Sequence, residues 1–514
     1  MTIETELKLT APARTLQKLP RVPWLRDMAA AHAKREKLVS VYFDTPDCKL
    51  ARNHVALRIR RQAGKRIQTI KTENGGGHAL SRGEWEQPVA GSRPDLRSIK
   101  GTPLDGLLKN GSKVEPIFET NIERTTIPLR AGRSEIELAL DRGFVRAGRR
   151  RESIHEVELE LRHGEPRDLA LLAERIAATV QIGYGAQTKA ERGYALSAGR
   201  SGEAARAGDI RLDPAQSVAG AFTKIGLACL HHLARNESAV RKGDAEGVHQ
   251  MRVGLRRLRA ALSVFKDPAE DEKREAIKGE LKWLTGQLGP ARDFEVLAEA
   301  AKLALQGARS GRHDSELLES EVKARRDEGL AQAKAAVESE RCRRALLNAA
   351  LWLIAGPWSR REDPFAVSAL QARIDAFAPE VLRKRWKKIV KRSRKAEKLD
   401  AHGRHKLRIA VKKLRYATEF FESIFTGKRQ KKARKTFEDL LKALQDALGK
   451  LNDIATHDRI AGQMVQLGKC TKKHLQMAYA MGLLSGSEHR LAATCIAKAR
   501  KSGKKLGGAK PFWF

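Results

Sequence analysis

Charged residues recur at every second position in several short segments near the start of this 514-residue chain. Glu4, Glu6 and Lys8 form one such set, and Arg58 and Arg60 form another. Residues i and i+2 of a β-strand point to the same face, so each set predicts a strand with one charged face. Carboxylate oxygens bind divalent metal ions, whereas guanidinium and ammonium groups bind phosphate oxygens. Together these residue types indicate chemistry on a phosphorylated substrate with the help of a metal ion.

In each of three further segments, carboxylates fall on one face of a predicted strand. These segments contain Glu84 and Glu86; Glu135, Glu137 and Asp141; and Glu156, Glu158 and Glu160. Apolar residues fill the alternate positions, so the charged faces would line an interior if the apolar faces packed outward. Such an interior would be costly unless a metal ion and a polyanion neutralised it. For one strand alone a solvated, paired face is the simpler interpretation. Four or five such strands with charges of both signs favour a lined tunnel.

Eight segments with period-two alternation predict β-strands, and turn residues separate them. They cover residues 2–9, 39–43, 55–61, 67–71, 81–88, 118–128, 135–142 and 153–162. Most follow one another closely enough to pair, which favours an antiparallel barrel or sandwich. Asn74-Gly75-Gly76-Gly77 predicts a hairpin or loop, and helices are predicted over 166–180 and near 15–31.

The opening Glu-x-Glu-x-Lys segment resembles the signature of the CYTH superfamily, the triphosphate tunnel metalloenzymes. Further matching elements follow in the family's order over residues 1–196: Val41-Tyr42-Phe43-Asp44-Thr45, Leu57-Arg58-Ile59-Arg60, Ile70-Lys71, Arg82-Gly83-Glu84-Trp85-Glu86, Arg124, Asp141, Glu156-Val157-Glu158-Leu159-Glu160 and Thr188-Lys189. The resemblance implies an eight-stranded antiparallel β-tunnel that hydrolyses a triphosphate, with inorganic triphosphate as the favoured substrate.

The resemblance also assigns roles to a set of candidate catalytic residues. The metal ligands that it implies are Glu4, Glu6, Asp141, Glu156 and Glu158. The triphosphate ligands that it implies are Lys8, Arg58, Arg60, Lys71, Arg124 and Lys189. Carboxylate ligands suit Mg²⁺ or Mn²⁺. No Ser or Cys nucleophile with an adjacent base is evident, which favours direct attack by water.

Residues 197–214 are small, polar and glycine-containing, and this composition predicts a linker. Beyond it, helical spacing of apolar residues predicts an all-α domain over residues 215–505, followed by a tail at 506–514. The domain contains a repeat, because His249-Gln-Met-Arg252 matches His405-Lys-Leu-Arg408 and Leu288-Gly289 matches Leu448-Gly449 at nearly the same offset. A duplicated helical bundle, with units at about 215–360 and 370–505, is the simplest explanation.

At 100° per residue, His249 and several of the basic residues that follow it lie on one face of a helix, beside a face of leucines. The second copy repeats this arrangement, which resembles the CHAD family of histidine-containing α-helical domains. The resemblance implies that the basic faces bind inorganic polyphosphate. The residues implied are His249, Arg252, Arg256, Arg257, Arg259, His405, Arg408, Lys412, Lys413 and Arg415. A solvated basic face on an amphipathic helix is the plainer alternative.

The chain carries 100 Lys and Arg against 62 Asp and Glu, for a formal net charge of +38. Residues 201–514 contribute +27 of this charge, and a field of that sign attracts polyanions. The cysteines lack zinc-ligand spacing and predict reduced thiols in a cytoplasmic protein. The longest apolar stretch, residues 346–355, is far too short to span a membrane and predicts a buried helix.

These observations predict an α+β multidomain protein, with an eight-stranded antiparallel β-tunnel followed by an all-α duplicated helical domain. The favoured function is metal-dependent hydrolysis of a triphosphate, with polyphosphate bound by the helical domain. Two alternatives stay open. One is a non-catalytic protein bound to polyphosphate granules, and the other is an adenylate cyclase, whose adenine pocket is not visible in the sequence. Nucleic-acid binding is a weaker interpretation of the same positive charge.

Overall fold

The computed structural model describes residues 2–72, 80–108, 112–306, 312–466 and 471–513. These residues form a closed antiparallel β-barrel of eight strands followed by a helical region, which confirms the predicted fold class. The loop predicted at 74–77 lies outside the described residues, as does Cys470. Within the described ranges, no helix is both long and apolar enough to cross a membrane.

The eight barrel strands contain the eight predicted segments. They are β1 (Thr2–Thr10), β2 (Lys34–Asp44), β3 (Val55–Gln62), β4 (Lys65–Thr72), β5 (Ser81–Pro88), β6 (Glu115–Ala131), β7 (Ser134–Ala147) and β8 (Arg150–His163). Their order is β5-β4-β3-β2-β6-β7-β8-β1, and pairing of β1 with β5 closes the barrel. A short ninth strand, β9 (Gly183–Tyr184), pairs with the end of β1.

Alternation along the strands separates an apolar outer face from a charged interior. Leu7 and Leu9 of β1 are buried in the same apolar cluster as Leu169, outside the barrel. Glu6 and Lys8 occupy the intervening positions and line the cavity within. The predicted inversion, with charge inside and apolar residues outside, is therefore present in the barrel.

Short helices flank the strands. They are α1 (Ala13–Lys18), α2 (Pro23–Asp27), α3 (Lys49–Arg52), α4 (Pro166–Thr179) and α5 (Lys189–Ser197). The helix predicted over 166–180 is confirmed as α4. The helix predicted near 15–31 is wrong in extent, because a 3-10 turn at Leu19–Arg21 separates α1 from α2. Pro20 and Pro23 lack the amide hydrogen that the interior of a continuous helix needs.

The helical region follows a connecting segment. Its helices are α6 (Val218–Arg235), α7 (Glu237–Arg241), α8 (Ala245–Val264), α9 (Lys273–Gln287), α10 (Gly289–Gln306), α11 (Arg312–Glu338), α12 (Glu340–Ala355), α13 (Pro364–Gln371), α14 (Ile374–Ser393), α15 (Ala401–Phe420), α16 (Lys428–Gln466) and α17 (Lys472–Gly508). The two histidine motifs lie on α8 and α15. At the Leu-Gly matches, Pro290 accompanies the break between α9 and α10, whereas Lys450 allows α16 to continue. The stretch 346–355 forms part of α12 and, apart from the exposed Asn348, is buried as predicted.

The barrel and the helical region share one apolar core. The cluster that contains Leu7 of β1 and Leu169 of α4 continues into Leu346 of α12. Arg343 of α12 also donates a hydrogen bond to the carbonyl oxygen of Ile182, next to β9, at 2.5 Å. The two parts of the chain are therefore packed against each other by both apolar and polar contacts.

The segments predicted as linker and tail also contribute buried side chains. Ile210 and Leu212, in the connecting segment, are buried. Phe512 and Trp513, near the end of the chain, are buried against Phe437 of α16. Both segments are thus anchored to the folded protein.

Candidate active site

The barrel encloses a cavity of about 570 Å³, lined by side chains of both charges. Most of the predicted site residues line it directly: Glu4, Glu6, Lys8, Arg58, Arg60, Lys71, Arg124, Glu158 and Lys189. Asp141 and Glu156 lie behind this surface, where both are buried in contact with Lys189. The structure thus places all the predicted tunnel residues in, or directly against, one cavity.

Asp141 on β7 and Glu156 and Glu158 on β8 form a group that could hold a metal ion, named here the three-carboxylate group. One oxygen of each lies within 4.8 Å of the others, and all three residues are buried. Asp141 pairs directly with Glu156 across the β7–β8 ladder, so strand register sets their spacing. A donor set made only of carboxylate oxygens is the one that Mg²⁺ or Mn²⁺ prefers, so these residues fit such an ion.

Four cations contact the three-carboxylate group, and Lys189 and Arg124 make the closest contacts. The ammonium group of Lys189 contacts all three carboxylates, at 2.8, 2.6 and 2.8 Å. Arg124 contacts Asp141 at 2.6 Å and Glu158 at 2.5 Å. Burial opposes ionisation of Glu158, but Lys189, Lys8 and Arg124 outweigh it and hold the pKa of Glu158 well below its ordinary value. Glu158 is therefore ionised at neutral pH, which is the state that binds metal.

Lys189 is held in place through the start of α5. Thr188 and Glu191 form a capping box, in which the Glu191 amide donates to the Thr188 hydroxyl at 3.1 Å and the Thr188 amide donates to the Glu191 carboxylate at 2.8 Å. His231 and Arg235 of α6 lie 3.6 and 3.3 Å from that carboxylate. The helical region therefore contacts the residue that fixes the helix start, and with it the direction of Lys189.

Glu4 and Glu6, the other predicted metal ligands, lie beside the three-carboxylate group and are not members of it. Glu4 contacts Lys71 at 2.5 Å. Glu6 contacts Lys8 at 3.2 Å and Arg82 at 3.0 Å. Burial opposes ionisation of Glu6, yet Lys8 and Arg82 lower its pKa to about 2. Lys8 also contacts Glu158 of the three-carboxylate group at 3.2 Å, so it bridges that group and Glu6.

Arg58 and Arg60 on β3 are weakly neutralised. Arg60 donates a hydrogen bond to the Ser40 hydroxyl at 3.3 Å, and it forms no ion pair with any carboxylate that the structure describes. Burial, followed by the charges of Arg58 and Arg124, lowers the pKa of Arg60 to about 10. The nearest ion-pair distance for Arg58 is 3.8 Å, to Glu84. Because a buried cation without a counter-ion is costly, an anion bound here would be stabilised.

Other residues line the cavity with weaker sequence signals or none. Arg82 has a strand-face signal of its own, and the structure brings it onto Glu6. Arg162 pairs with Glu160 at 2.6 Å, and its two-residue spacing from that glutamate is a signal that identifies it. Arg200 and Arg235 line the end of the cavity near α5. Nothing in the local sequence around these two arginines indicates a tunnel.

The two histidine motifs meet inside the helical region. Arg256 of α8 donates a hydrogen bond to the Tyr416 hydroxyl of α15 at 3.4 Å. Burial lowers the pKa of Arg252, and the charges of Arg256 and Arg408 contribute. Burial, followed by Arg408 and Arg256, also lowers the pKa of Lys412 to about 7. We name Arg252, Arg256, Arg408 and Lys412 the inter-repeat basic region.

Arg257 does not lie on the predicted polyphosphate-binding face. Its side chain is 2% exposed and pairs with Glu419 of α15 at 2.6 Å. The 100° helical step places Arg257 about 80° from His249, on the side opposite to Arg256. Arg257 therefore helps to pack α8 against α15.

The remaining predicted polyphosphate ligands are distributed over the surface. His249 and Arg415 lie beside the inter-repeat basic region. Arg259 and Lys413 lie close to each other in a separate cluster. His405 is exposed at the start of α15. The structure thus brings together only part of the predicted set.

Comparison with known proteins identifies two domains. The sequence model of the CYTH domain matches residues 2–194, and that of the CHAD domain matches residues 224–461. The chain therefore contains a CYTH domain followed by a CHAD domain.

One curated relative is the inorganic triphosphatase of Haemophilus influenzae (strain ATCC 51907 / DSM 11121 / KW20 / Rd). It is 32% identical over 196 residues, which cover 38% of this chain and 54% of the relative. The chain thus matches about half the length of that protein.

Solved structures are similar to each part. The CHAD domain from the plant Ricinus communis is 28% identical, with a TM-score of 0.49, and the match covers 58% of this chain and 96% of that one. The Hippeastrum protein HpAC1, described with a dominant triphosphatase activity, is 18% identical, with a TM-score of 0.27 over 38% of this chain and 96% of that one.

Proposed function

We propose that this chain hydrolyses inorganic triphosphate to diphosphate and phosphate inside the barrel, with Mg²⁺ or Mn²⁺ as cofactor. The observation that carries this proposal is the presence of two opposite charge sites in one cavity, the three-carboxylate group and the weakly neutralised pair of Arg58 and Arg60. A triphosphate bound with a divalent cation would satisfy both sites. Similarity to an inorganic triphosphatase supports the substrate class.

The cavity residues would contribute in different ways. Arg58 and Arg60 present planar guanidinium forks that can hold phosphate oxygens through paired hydrogen bonds. Lys8 and Lys71 supply point charges. The three-carboxylate group would hold the metal ion, which when bound supplies charge neutralisation and a more acidic water.

Lys189 and Arg124 neutralise the three-carboxylate group in the present structure. Both cations would become available to phosphate oxygens if a bound metal ion neutralised the three carboxylates instead. In the reaction, a water oxygen forms a bond to the terminal phosphorus while the bridging P–O bond breaks, and diphosphate leaves. The cations would stabilise the charge that develops on the phosphate oxygens in that transition state.

The decisive experiment measures phosphate release by the full chain from triphosphate, tetraphosphate, long polyphosphate, ATP and thiamine triphosphate, with and without Mg²⁺ or Mn²⁺. We expect the fastest release from triphosphate and its loss when EDTA removes the metal. Formation of cyclic nucleotide from ATP would instead identify a cyclase. Tight polyphosphate binding without turnover of any substrate would identify a non-catalytic, granule-bound protein.

We also propose that the helical domain binds inorganic polyphosphate, chiefly through the inter-repeat basic region, in a cytoplasmic protein. The proposal rests on the convergence of cations from both repeats. Arg256 and Arg408 contribute to lowering the pKa of Arg252 and of Lys412, and a bound polyanion would relieve this repulsion. Polyphosphate binding should weaken as salt screens these charges. Competition with duplex DNA tests the alternative ligand, because equal displacement by DNA would contradict a polyphosphate preference.

A further inference from the structure

The end of the cavity near α5 is lined by parts of the chain outside the barrel. Residues 200 and 202–205 of the connecting segment line it, together with Arg235 from the end of α6. The barrel therefore does not form this wall alone. The helical region supplies part of the surface that a molecule inside the tunnel would meet.

The connecting segment is fixed to the helical region at this wall. The buried side chain of Asn236 accepts a hydrogen bond from the Ala205 amide at 2.8 Å and donates one to the Ala205 carbonyl at 2.9 Å. Lys242 donates to the carbonyl of Ser201 at 2.5 Å, and the Ser201 hydroxyl donates to Glu152 of β8 at 2.8 Å. Residues 201–205 thus form a strap that is held at both ends, and its position relative to the cavity is set by the fold.

Two arginines and two glutamates line this wall, and the arginines are only partly neutralised. Arg235 lies 3.3 Å from Glu191, and its Nε is buried without a hydrogen-bond partner among the described residues. Arg200 is exposed and forms no ion pair with any residue that the structure describes. The acids that line the same wall are Glu191 and Glu203. Arg82 and Lys8 also line the cavity, where both contact Glu6.

We propose that the helical domain completes the substrate site of the tunnel. Arg235, assisted by Arg200, binds the phosphate group of an inorganic oligophosphate that extends past a triphosphate towards α5. This inference rests on the proposed triphosphatase function and adds a subsite that discriminates substrates by chain length. The guanidinium group of Arg235 is the principal ligand because Arg235 lines the cavity and its Nε has no hydrogen-bond partner among the described residues.

The test compares kcat and KM of the full chain for triphosphate and for tetraphosphate, with Mg²⁺ present. Arg235→Ala should raise the KM for tetraphosphate by about tenfold more than the KM for triphosphate, the size expected for loss of one charge-assisted contact. Arg235→Lys, which keeps the charge, should recover most of the loss, and adding Arg200→Ala to Arg235→Ala should enlarge it. Arg241→Ala is the matched control, because Arg241 is exposed on α7 and pairs with Glu237 away from the cavity.

Equal changes for the two substrates would overturn the subsite. So would a fall in kcat alone, because that result would mean that Arg235 acts only through Glu191 and the start of α5. If the wild-type chain releases no phosphate from any substrate, the proposed hydrolysis fails, and calorimetric titration with tetraphosphate decides the subsite separately. Weaker tetraphosphate binding by Arg235→Ala than by Arg241→Ala would then support it, and equal binding would overturn it.

Discussion

The barrel interior and the inter-repeat basic region both collect cations, but their surroundings differ. In the barrel, Lys189 contacts three carboxylates, and these raise its pKa well above its ordinary value although burial opposes the change. In the inter-repeat basic region, burial and neighbouring arginines lower the pKa of Lys412 to about 7. The barrel thus combines acids that can hold a metal with cations that stay charged. In the helical region, neighbouring cations instead lower the pKa of a lysine, and a bound polyanion would relieve their repulsion.

The largest expected effect is the loss of triphosphate turnover when Arg60 is removed from the barrel. Arg60→Ala takes away a tunnel cation that has no carboxylate partner among the described residues, and we expect triphosphate turnover to fall by about 10²–10³-fold, as for loss of one preorganised transition-state donor. Polyphosphate binding by the helical domain should not change. Phosphate release and polyphosphate titration measure the two effects. Arg61→Ala is the control, since Arg61 is the exposed neighbour on the outer strand face, and a comparable loss there would refute the assignment.

The converse experiment removes charge from the helical surface. Arg256→Ala combined with Arg408→Ala should weaken polyphosphate binding by about a hundredfold, at about tenfold for each charged contact. Triphosphate turnover should stay near that of the wild type. The control pair, Arg326→Ala with Arg344→Ala, removes the same charge from helix positions outside the inter-repeat basic region. An equal loss of binding in the control pair would show that net charge, rather than the convergence of the two repeats, governs binding.

A change in the three-carboxylate group should affect the metal requirement specifically. Glu156→Gln keeps the shape of the side chain but removes one negative charge, so we expect the Mg²⁺ concentration at half-maximal activity to rise by about tenfold or more. Activity assays over a Mg²⁺ series measure this shift. Glu123→Gln is a suitable control because Glu123 is exposed on β6 and does not line the cavity. An unchanged Mg²⁺ requirement in Glu156→Gln would contradict metal binding by this group.

The smallest expected effect is a difference in pH dependence between the two regions. Lys412, which faces Arg408, Arg256, Asp453 and Arg415, has a pKa of about 7 and loses its proton as the pH rises through that value. Polyphosphate affinity should therefore fall severalfold, and less than about tenfold, between pH 6 and pH 8, since one pH unit above the pKa costs at most that factor. Lys412→Arg should abolish the fall. Titrations of both proteins across this range would refute the assignment if the wild-type curve were flat.

The barrel was more predictable from the sequence than the end of the cavity near α5. The two-residue spacing of Glu4, Glu6 and Lys8 identifies a strand face because strand geometry is local. The charge of Arg60 follows from the same rule, but its lack of an acid partner depends on strands that are far apart in sequence. Arg235 carries no such signal, because only tertiary packing of α6 against α5 brings it to the tunnel.

The helical motif shows the same limit of local reasoning. The 100° step separates Arg256 from Arg257, yet the motif as a whole does not reveal that Arg257 faces Glu419 on a helix more than 150 residues away. The error at residues 15–31 had a visible cause in Pro20 and Pro23. A periodic apolar pattern is therefore strong evidence for a face and weaker evidence for the length of a helix that contains prolines.

The apolar cluster that runs from Leu7 through Leu169 to Leu346 couples the unfolding of the barrel to that of the helical region. If the chain were cut in the connecting segment and the two pieces separated, each piece would expose leucines that this cluster buries. The cost would be about 2 kcal/mol for each leucine exposed. Neither piece would then keep the free energy of unfolding that it has in the intact chain. We expect the intact protein to melt in a single calorimetric transition, with the barrel and the helices behaving as one cooperative unit.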